Sequence, residues 1–134
     1  MTEKIIIDAA NSPLGRVASY AAKNSLFGKS VIILNCDNAV VSGRKSSVIG
    51  DYKESRTRGG SSLKGPSFPK EPFRVVKRTV RGMLPYKQGR GSAALKRVIC
   101  YNDIPEEYQQ VEKISLAKDL KTKPITLKEL SKIL

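Results

Sequence analysis

"EKIIIDAANSPLGRVASYAAKNSLFGKSVIILNC", residues 3–36, carries the pattern on which the fold turns. Ile5 to Ile7 form a short apolar run, Leu14, Val17, Ala18, Ala21, Ala22 and Leu26 recur at helical spacing, and Ser30 to Asn35 form a second continuous apolar run. Continuous rather than alternating runs mark strands buried on both faces, which a βαβ crossover with parallel strands produces. The connection is expected to be right-handed. Asn11 or Ser12 is placed to cap the helix and Pro13 to sit in its first turn, where a missing N–H costs nothing. Gly28 fits the left-handed stop at its end.

Further along, "DNAVVSG" (37–43) offers a third, shorter apolar stretch, and Ser42 can start a helix to about Ser55 with Val48, Ile49 and Tyr52 on one face. "RTRGGSSLKGPSFPKEP" (56–72) is rich in Gly, Ser, Pro and base, and reads as a surface segment whose order depends on a partner. Phe73 to Leu84 is predicted helical. At 100° per residue Phe73, Val76, Val80, Met83 and Leu84 share one side, while Arg74, Lys77, Arg78 and Arg81 follow i, i+3, i+4, i+7 on another. Replacing those four cations with Gln is expected to leave thermal unfolding nearly unchanged. A helix near Ser92–Arg97 and a strand at 98–101 follow, and "NDIPEEYQQ" (102–110) carries the Asx-Pro-acid pattern of another helix start. Thr126 and Glu129 make a capping box before Leu127, Leu130, Ile133 and Leu134. The near-neutral tail reads as structural packing or a protein contact.

A length of 134 residues suits one domain, 1–134, able to bury roughly two thirds of its unfolded surface. With 40% apolar residues, 6% aromatic residues and no Trp, the core should be aliphatic and an aromatic ligand cage is not expected. The chain has no histidine, so His triads, His general bases and His-containing zinc sites cannot be built, and Cys36 and Cys100 alone do not make a tetrahedral zinc site. No metal and no cofactor are expected. Two cysteines far apart, with no secretory h-region before them, point to free thiols in a reduced compartment. No run approaches the roughly 18 apolar residues of a membrane span.

The net charge of +13 is segregated. Residues 1–43 hold four Lys/Arg against three acids and residues 98–134 hold six of each, whereas residues 44–97 hold fifteen against three. That concentration repels itself until a polyanion relieves it, so nucleic acid is the expected partner, ahead of an acidic protein or a membrane surface.

Two motifs test a nucleotide pocket against that expectation. Gly89-Arg90-Gly91-Ser92-Ala93-Ala94 fits G-x-G-x-x-G/A, but the dinucleotide fingerprint needs a strand immediately before it, and here "RGMLPYKQ" (81–88) precedes it. "FGKS" (27–30) resembles the tail of a Walker A loop, but position 23 is Lys where a glycine is required, and the sequence ends a helix rather than beginning one. "DAANSPLGR" (8–16) reads as a plain crossover turn in which Arg16 can also meet a phosphate. Backbone recognition accounts for the 81–97 stretch better. Gly82, Gly89 and Gly91 allow close approach, Pro85 stiffens the turn, and Lys87, Arg90, Lys96 and Arg97 meet no competing acid. With no aromatic stacking platform, helix-turn-helix or zinc-finger pattern, the target should be folded RNA read through shape and phosphates.

"VRGMLPYKQGRGSAALKRVICYNDIP" (80–105) closely resembles the Gly-Met-Leu-Pro signature of the large ribosomal subunit protein thirteen family, with its Gly-Arg, small-residue helix and tyrosine strand. "DAANSPLGRVASYAAK" (8–23) and "GKSVIILNCDNAVVSG" (28–43) resemble its Asp-Ala, Leu-Gly-Arg and Val-Asn-Ala regions in the same order. The likeness spans about 5–109 and is to the archaeal and eukaryotic branch. Cys36 stands where that family usually has Ala, and the tail beyond about 110 matches no signature. The resemblance implies an α/β fold in three layers, α/β/α, with a small, mostly parallel four-stranded sheet and a basic extension of loops and helices. It also implies binding of large-subunit rRNA early in assembly, and no enzymatic activity. The expected setting is a cytoplasmic ribosome, as a monomer beside neighbouring large-subunit ribosomal proteins, with no membrane and no small-molecule substrate. The family's basic signature region corresponds to Arg81, Lys87, Arg90, Lys96 and Arg97. Charge and spacing add Arg16, Arg44, Lys45, Arg56, Arg58, Lys64, Arg74, Lys77 and Arg78 as expected RNA contacts within a basic region at about 44–97. A nucleotide-dependent enzyme using Gly89–Ala94, or a regulator binding messenger RNA outside the ribosome, are the alternatives.

Overall fold

The computed structural model describes residues 4–41, 45–57, 71–116 and 124–133. The predicted strand, helix, strand unit is present as β1 (Lys4–Asp8), α1 (Leu14–Leu26) and β2 (Ser30–Leu34), with β1 and β2 parallel. β4 (Val98–Cys100) lies parallel to β2 and β5 (Ile114–Ser115) parallel to β1, so the four-stranded sheet runs β4-β2-β1-β5. The "DNAVVSG" stretch contributes β3 (Val40–Val41), which pairs antiparallel with β6 (Ile125–Thr126) in a separate ribbon. The helices are α2 (Lys45–Thr57), α3 (Pro72–Gly82), α4 (Gly89–Lys96) and α5 (Leu127–Ile133), and the whole is consistent with a small three-layer α/β fold.

Register explains where the core sits. Ile5, Val31 and Val98 stand in one row across the sheet and Ile7, Ile33 and Cys100 in the next, all on one face. This face packs with Val17, Ala18 and Ala21 of α1, Val76 and Val80 of α3 and Ala94 of α4 in a single aliphatic cluster. On the other face Ile32 is buried, Ile6 is half-buried and Ile99 is 47% exposed. β2 is therefore covered on both faces as predicted. β1 is not, because its Ile5 and Ile6 remain half-buried.

Gly28 terminates α1 with φ +93, and its N–H donates to the Ser25 carbonyl, as the sequence predicts. The start of α1 differs from expectation. Asn11 adopts a left-handed φ of 57, and the Ser12 hydroxyl donates to the Ala10 carbonyl instead of capping the helix. Pro13 stands just outside α1, and its carbonyl accepts from the N–H groups of Arg16 and Val17. The turn is held from outside: the Val40 N–H donates to the Ser12 carbonyl, and Asp8 Oδ1 accepts from Ala10 N–H and Asn35 Nδ2.

Other boundaries also shift. Leu26 is 40% exposed at the end of α1. In α2, Val48 is buried while Ile49 and Tyr52 pack half-buried against the core, and the predicted start at Ser42 lies outside the described residues. α3 ends at Gly82, so Met83 is 45% exposed, and Val75, unforeseen on the apolar side, is buried. "NDIPEEYQQ" forms one 3-10 turn, Glu106–Tyr108, in place of a longer helix. In the tail, Thr126 Oγ1 accepts from the Glu129 N–H as the capping box requires, and Ile125, Leu127 and Leu130 join the core; Ile133 is exposed and Leu134 lies outside the described residues. Cys36 and Cys100 are free thiols that meet in space, and the hydrogen bond between them, with burial, pushes the Cys36 thiol far above its ordinary range.

Gly91 has the strictest steric requirement. A Cβ there would lie 1.9 Å from the Pro85 carbonyl oxygen, a backbone atom that cannot swing aside. Gly91→Ala should therefore cost about 2 kcal/mol or more and lower Tm by roughly 8 °C. Gly89→Ala, where a Cβ meets nothing within 4 Å, should shift Tm by less than about 2 °C in the same calorimetric scan.

Candidate nucleic-acid interface

Pro72 opens α3 at its first position, where its fixed φ suits a helix, and the Glu71 carbonyl accepts from Arg74 and Val75 N–H. With Val75, Val76 and Val80 turned into the core, the helix presents Arg74, Lys77, Arg78 and Arg81 along a groove of about 210 Å³ that is closed on one side by Leu95 of α4. A second groove, about 300 Å³, continues past Phe73, Arg74, Lys77 and Lys96 to the edge strand β4. No Asp or Glu occurs between Glu71 and Asp103. Among the described residues the lining of both grooves includes no acid.

The four cations of α3 are not equivalent. Arg74 is exposed, whereas Lys77, Arg78 and Arg81 are half-buried. The Lys77 ammonium donates to the Leu95 carbonyl at 2.8 Å and to the Val98 carbonyl, and burial lowers its pKa. Arg97 likewise turns inward, with Nη1 donating to the Ser25 carbonyl at 2.8 Å. Cations at these positions add a donor to carbonyls in the last turns of α4 and α1 and in β4. Lys87, Arg90 and Lys96 are exposed, and Arg90 Nε donates to Gln88 Oε1. Arg81 covers the Tyr86 ring with its guanidinium 5.0 Å from the centroid, and Arg74 covers Phe73 at 5.7 Å.

The remaining sequence-predicted residues lie elsewhere. Arg16 is exposed in the first turn of α1, about 14 Å along that helix from the Ser25 carbonyl that holds Arg97. Lys45 opens α2 and Arg56 lies in its last turn. Arg44, Arg58 and Lys64 fall outside the described residues. Tyr86 is the residue that sequence reasoning passed over. It sits five positions after Arg81 beyond the end of a helix, so no helical period links the two.

The nucleotide motifs resolve on geometry. Gly89–Ala94 is itself the body of α4, preceded by a helix and a turn, so no strand leads into it. Its second glycine serves the contact with Pro85. The Ser12–Pro13 turn is packed against β3 through Val40. Among the described residues no helix is long and apolar enough to cross a membrane, and no cluster of three His, Cys, Asp or Glu side chains could hold a metal ion.

Comparison with known proteins bears directly on this surface. The family model described as "Ribosomal protein L13" matches residues 2–107. The chain belongs to the ribosomal protein L13 family. It is 44% identical to the "Large ribosomal subunit protein uL13" of Methanosarcina barkeri over 113 residues, covering 84% of this chain and 80% of that protein. The protein of the same name from Archaeoglobus fulgidus is 43% identical over 135 aligned positions, covering 96% and 86%. That of Picrophilus torridus is 43% identical over 133, covering 97% and 96%. The two longer alignments, at 96% and 97% of this chain, take in most of the tail beyond about 110. The L13 family match also includes α3, α4 and the Gly-Met-Leu-Pro joint between them.

Lys77 and Arg74 separate the structural cation from the free one. Lys77→Met should destabilise the fold by about 2 kcal/mol, since two carbonyls lose their donor, while Arg74→Gln should change stability by less than about 0.5 kcal/mol in urea unfolding. The expectation that all four α3 cations can be neutralised without effect on unfolding is therefore revised at Lys77.

Proposed function

We propose that this chain is a structural constituent of the large ribosomal subunit that binds and stabilises large-subunit rRNA early in assembly and catalyses no reaction. In this reading residues 1–134 act as one domain, and the basic region at about 44–97 grips several rRNA segments through their phosphates. It works as a monomer within a cytoplasmic ribosome, beside other large-subunit proteins. Membership of the ribosomal protein L13 family supports the assignment. The observation that carries the phosphate-reading mechanism is the groove whose described lining brings Arg74, Lys77, Arg78 and Arg81 together and includes no acid. Guanidinium groups offer planar forks for phosphate oxygens, and such contacts position a protein on RNA without reading sequence. Lys77 and Arg97 contribute by holding α4 and β4 in place behind that surface.

The test is binding of the purified protein to large-subunit rRNA fragments across a salt series, with small-subunit rRNA as competitor. Neutralising about 6 to 10 phosphates should cost roughly three to five decades of affinity between 50 and 200 mM salt on the duplex scaling. Arg74→Gln and Arg81→Gln should each reduce the salt slope by about one. A steep slope with a large-subunit fragment that resists competition supports the reading. A steep slope without that preference would reduce the protein to a nonspecific polycation.

A further inference from the structure

Exposed apolar side chains inside a dense cationic field call for an explanation that phosphate binding alone does not supply. Tyr86 is 42% exposed and Met83 45% exposed, and both lie between Arg81 and Lys87 in a stretch without a single acid. The chain reversal that places Tyr86 is tightly built. Its N–H donates to the Leu84 carbonyl at 2.8 Å, and the Gln88 N–H closes the turn on the Pro85 carbonyl at 2.9 Å. Gly91 packs against that same carbonyl. The ring is thus presented on a fixed backbone, with the Arg81 guanidinium 5.0 Å from its centroid.

We propose that the Tyr86 ring and the Arg81 guanidinium together form a stacking platform for one unpaired RNA nucleobase, set beside the phosphate groove of α3. The inference rests on the RNA-binding reading and gives its surface a base subsite. Three physical features favour a nucleobase over other occupants. An aromatic ring backed by a guanidinium offers a flat π surface with a positive flank, to which the electron-rich face of a base is attracted. An acidic peptide would satisfy the cations but leave the ring unused, while an apolar protein surface would have to desolvate Arg81, Lys87 and Arg90 without compensation. RNA supplies both chemistries at once, since each nucleotide couples a phosphate to a flat base. The bases that fit are those splayed out of a loop or bulge, because a base inside a helix has no free face.

Stacking and charge leave different signatures in the same titration. Tyr86→Ala should weaken binding of a large-subunit rRNA fragment by roughly tenfold at every salt concentration, with the salt slope unchanged. Tyr86→Phe should bind like the parent, and Lys87→Gln should lower the slope by about one. The chain contains no Trp, so Tyr86→Trp places a single fluorophore at the platform, and saturation with the rRNA fragment should quench it. This second variant reads stacking directly, independent of any effect of Tyr86→Ala on folding. Parental affinity in Tyr86→Ala, or an unquenched Trp in the bound Tyr86→Trp protein, would overturn the platform while leaving the rRNA reading intact. Loss of large-subunit preference by the parent protein itself would overturn both.

Discussion

The contact between Gly91 and the Pro85 carbonyl sets the distance between the end of α3 and the start of α4, and most of the surface follows from that distance. With hydrogen alone on Gly91, α4 lies close enough for its Leu95 carbonyl, and that of Val98 just beyond, to reach the Lys77 ammonium. The chain then leaves α4 directly into β4, which pairs with β2 and completes one edge of the sheet. Arg97 fastens this junction to the far end of α1 through the Ser25 carbonyl. The Gly-Met-Leu-Pro joint, the groove and the sheet edge are therefore parts of one mechanical unit. A residue that looks chosen for backbone access to a ligand is required first for the approach of two pieces of the protein to each other.

Charge is distributed with the same logic. The core is aliphatic and neutral, and the described buried polar side chains all have hydrogen-bond partners. Of the cations on α3 and its continuation, Lys77 and Arg97 turn inward to cap carbonyls, and burial lowers the Lys77 pKa, so its proton is held less firmly than that of a solvated lysine. Arg74, Lys87, Arg90 and Lys96 are exposed, where repulsion among them is screened by water and salt. A cation held on carbonyl oxygens can fix geometry without an acid nearby. This lets the surface keep a single sign of charge, since no carboxylate has to be introduced to anchor the helices.

Much of this architecture was legible in the residues, and the exceptions have identifiable physical causes. The β1-α1-β2 unit was readable because long apolar runs and a strict helical period leave few alternatives, and Gly28 marks its own left-handed turn. β5 was not readable, because Ile114–Ser115 is a two-residue edge strand with no periodicity to detect. The cap at α1 failed because the Val40 N–H pairs with the Ser12 carbonyl and draws the turn toward β3, a tertiary contact that local propensity cannot anticipate. On α3 the helical wheel correctly gathered four cations on one face, but a wheel cannot distinguish an ammonium aimed at phosphate from one aimed at the carbonyls of a helix that returns from sequence positions well beyond it. Tyr86 was hidden for a related reason, since it meets Arg81 only after the chain has left the helix and reversed at Pro85.

The Gly-Arg-Gly-Ser-Ala-Ala stretch shows why a pattern needs its structural context. In a dinucleotide fold small residues at these spacings admit a pyrophosphate to a helix N-terminus that follows a strand. Here the same small residues admit another segment of the protein, and the helix they begin follows a turn. Both uses depend on the missing Cβ, so the motif alone reports only that something approaches closely. What approaches is decided by the element that comes before. An apolar strand would have brought a ligand to the helix, whereas the turn that follows a basic helix brings the Pro85 carbonyl, and that contact sets α4 beside the cation-lined face of α3.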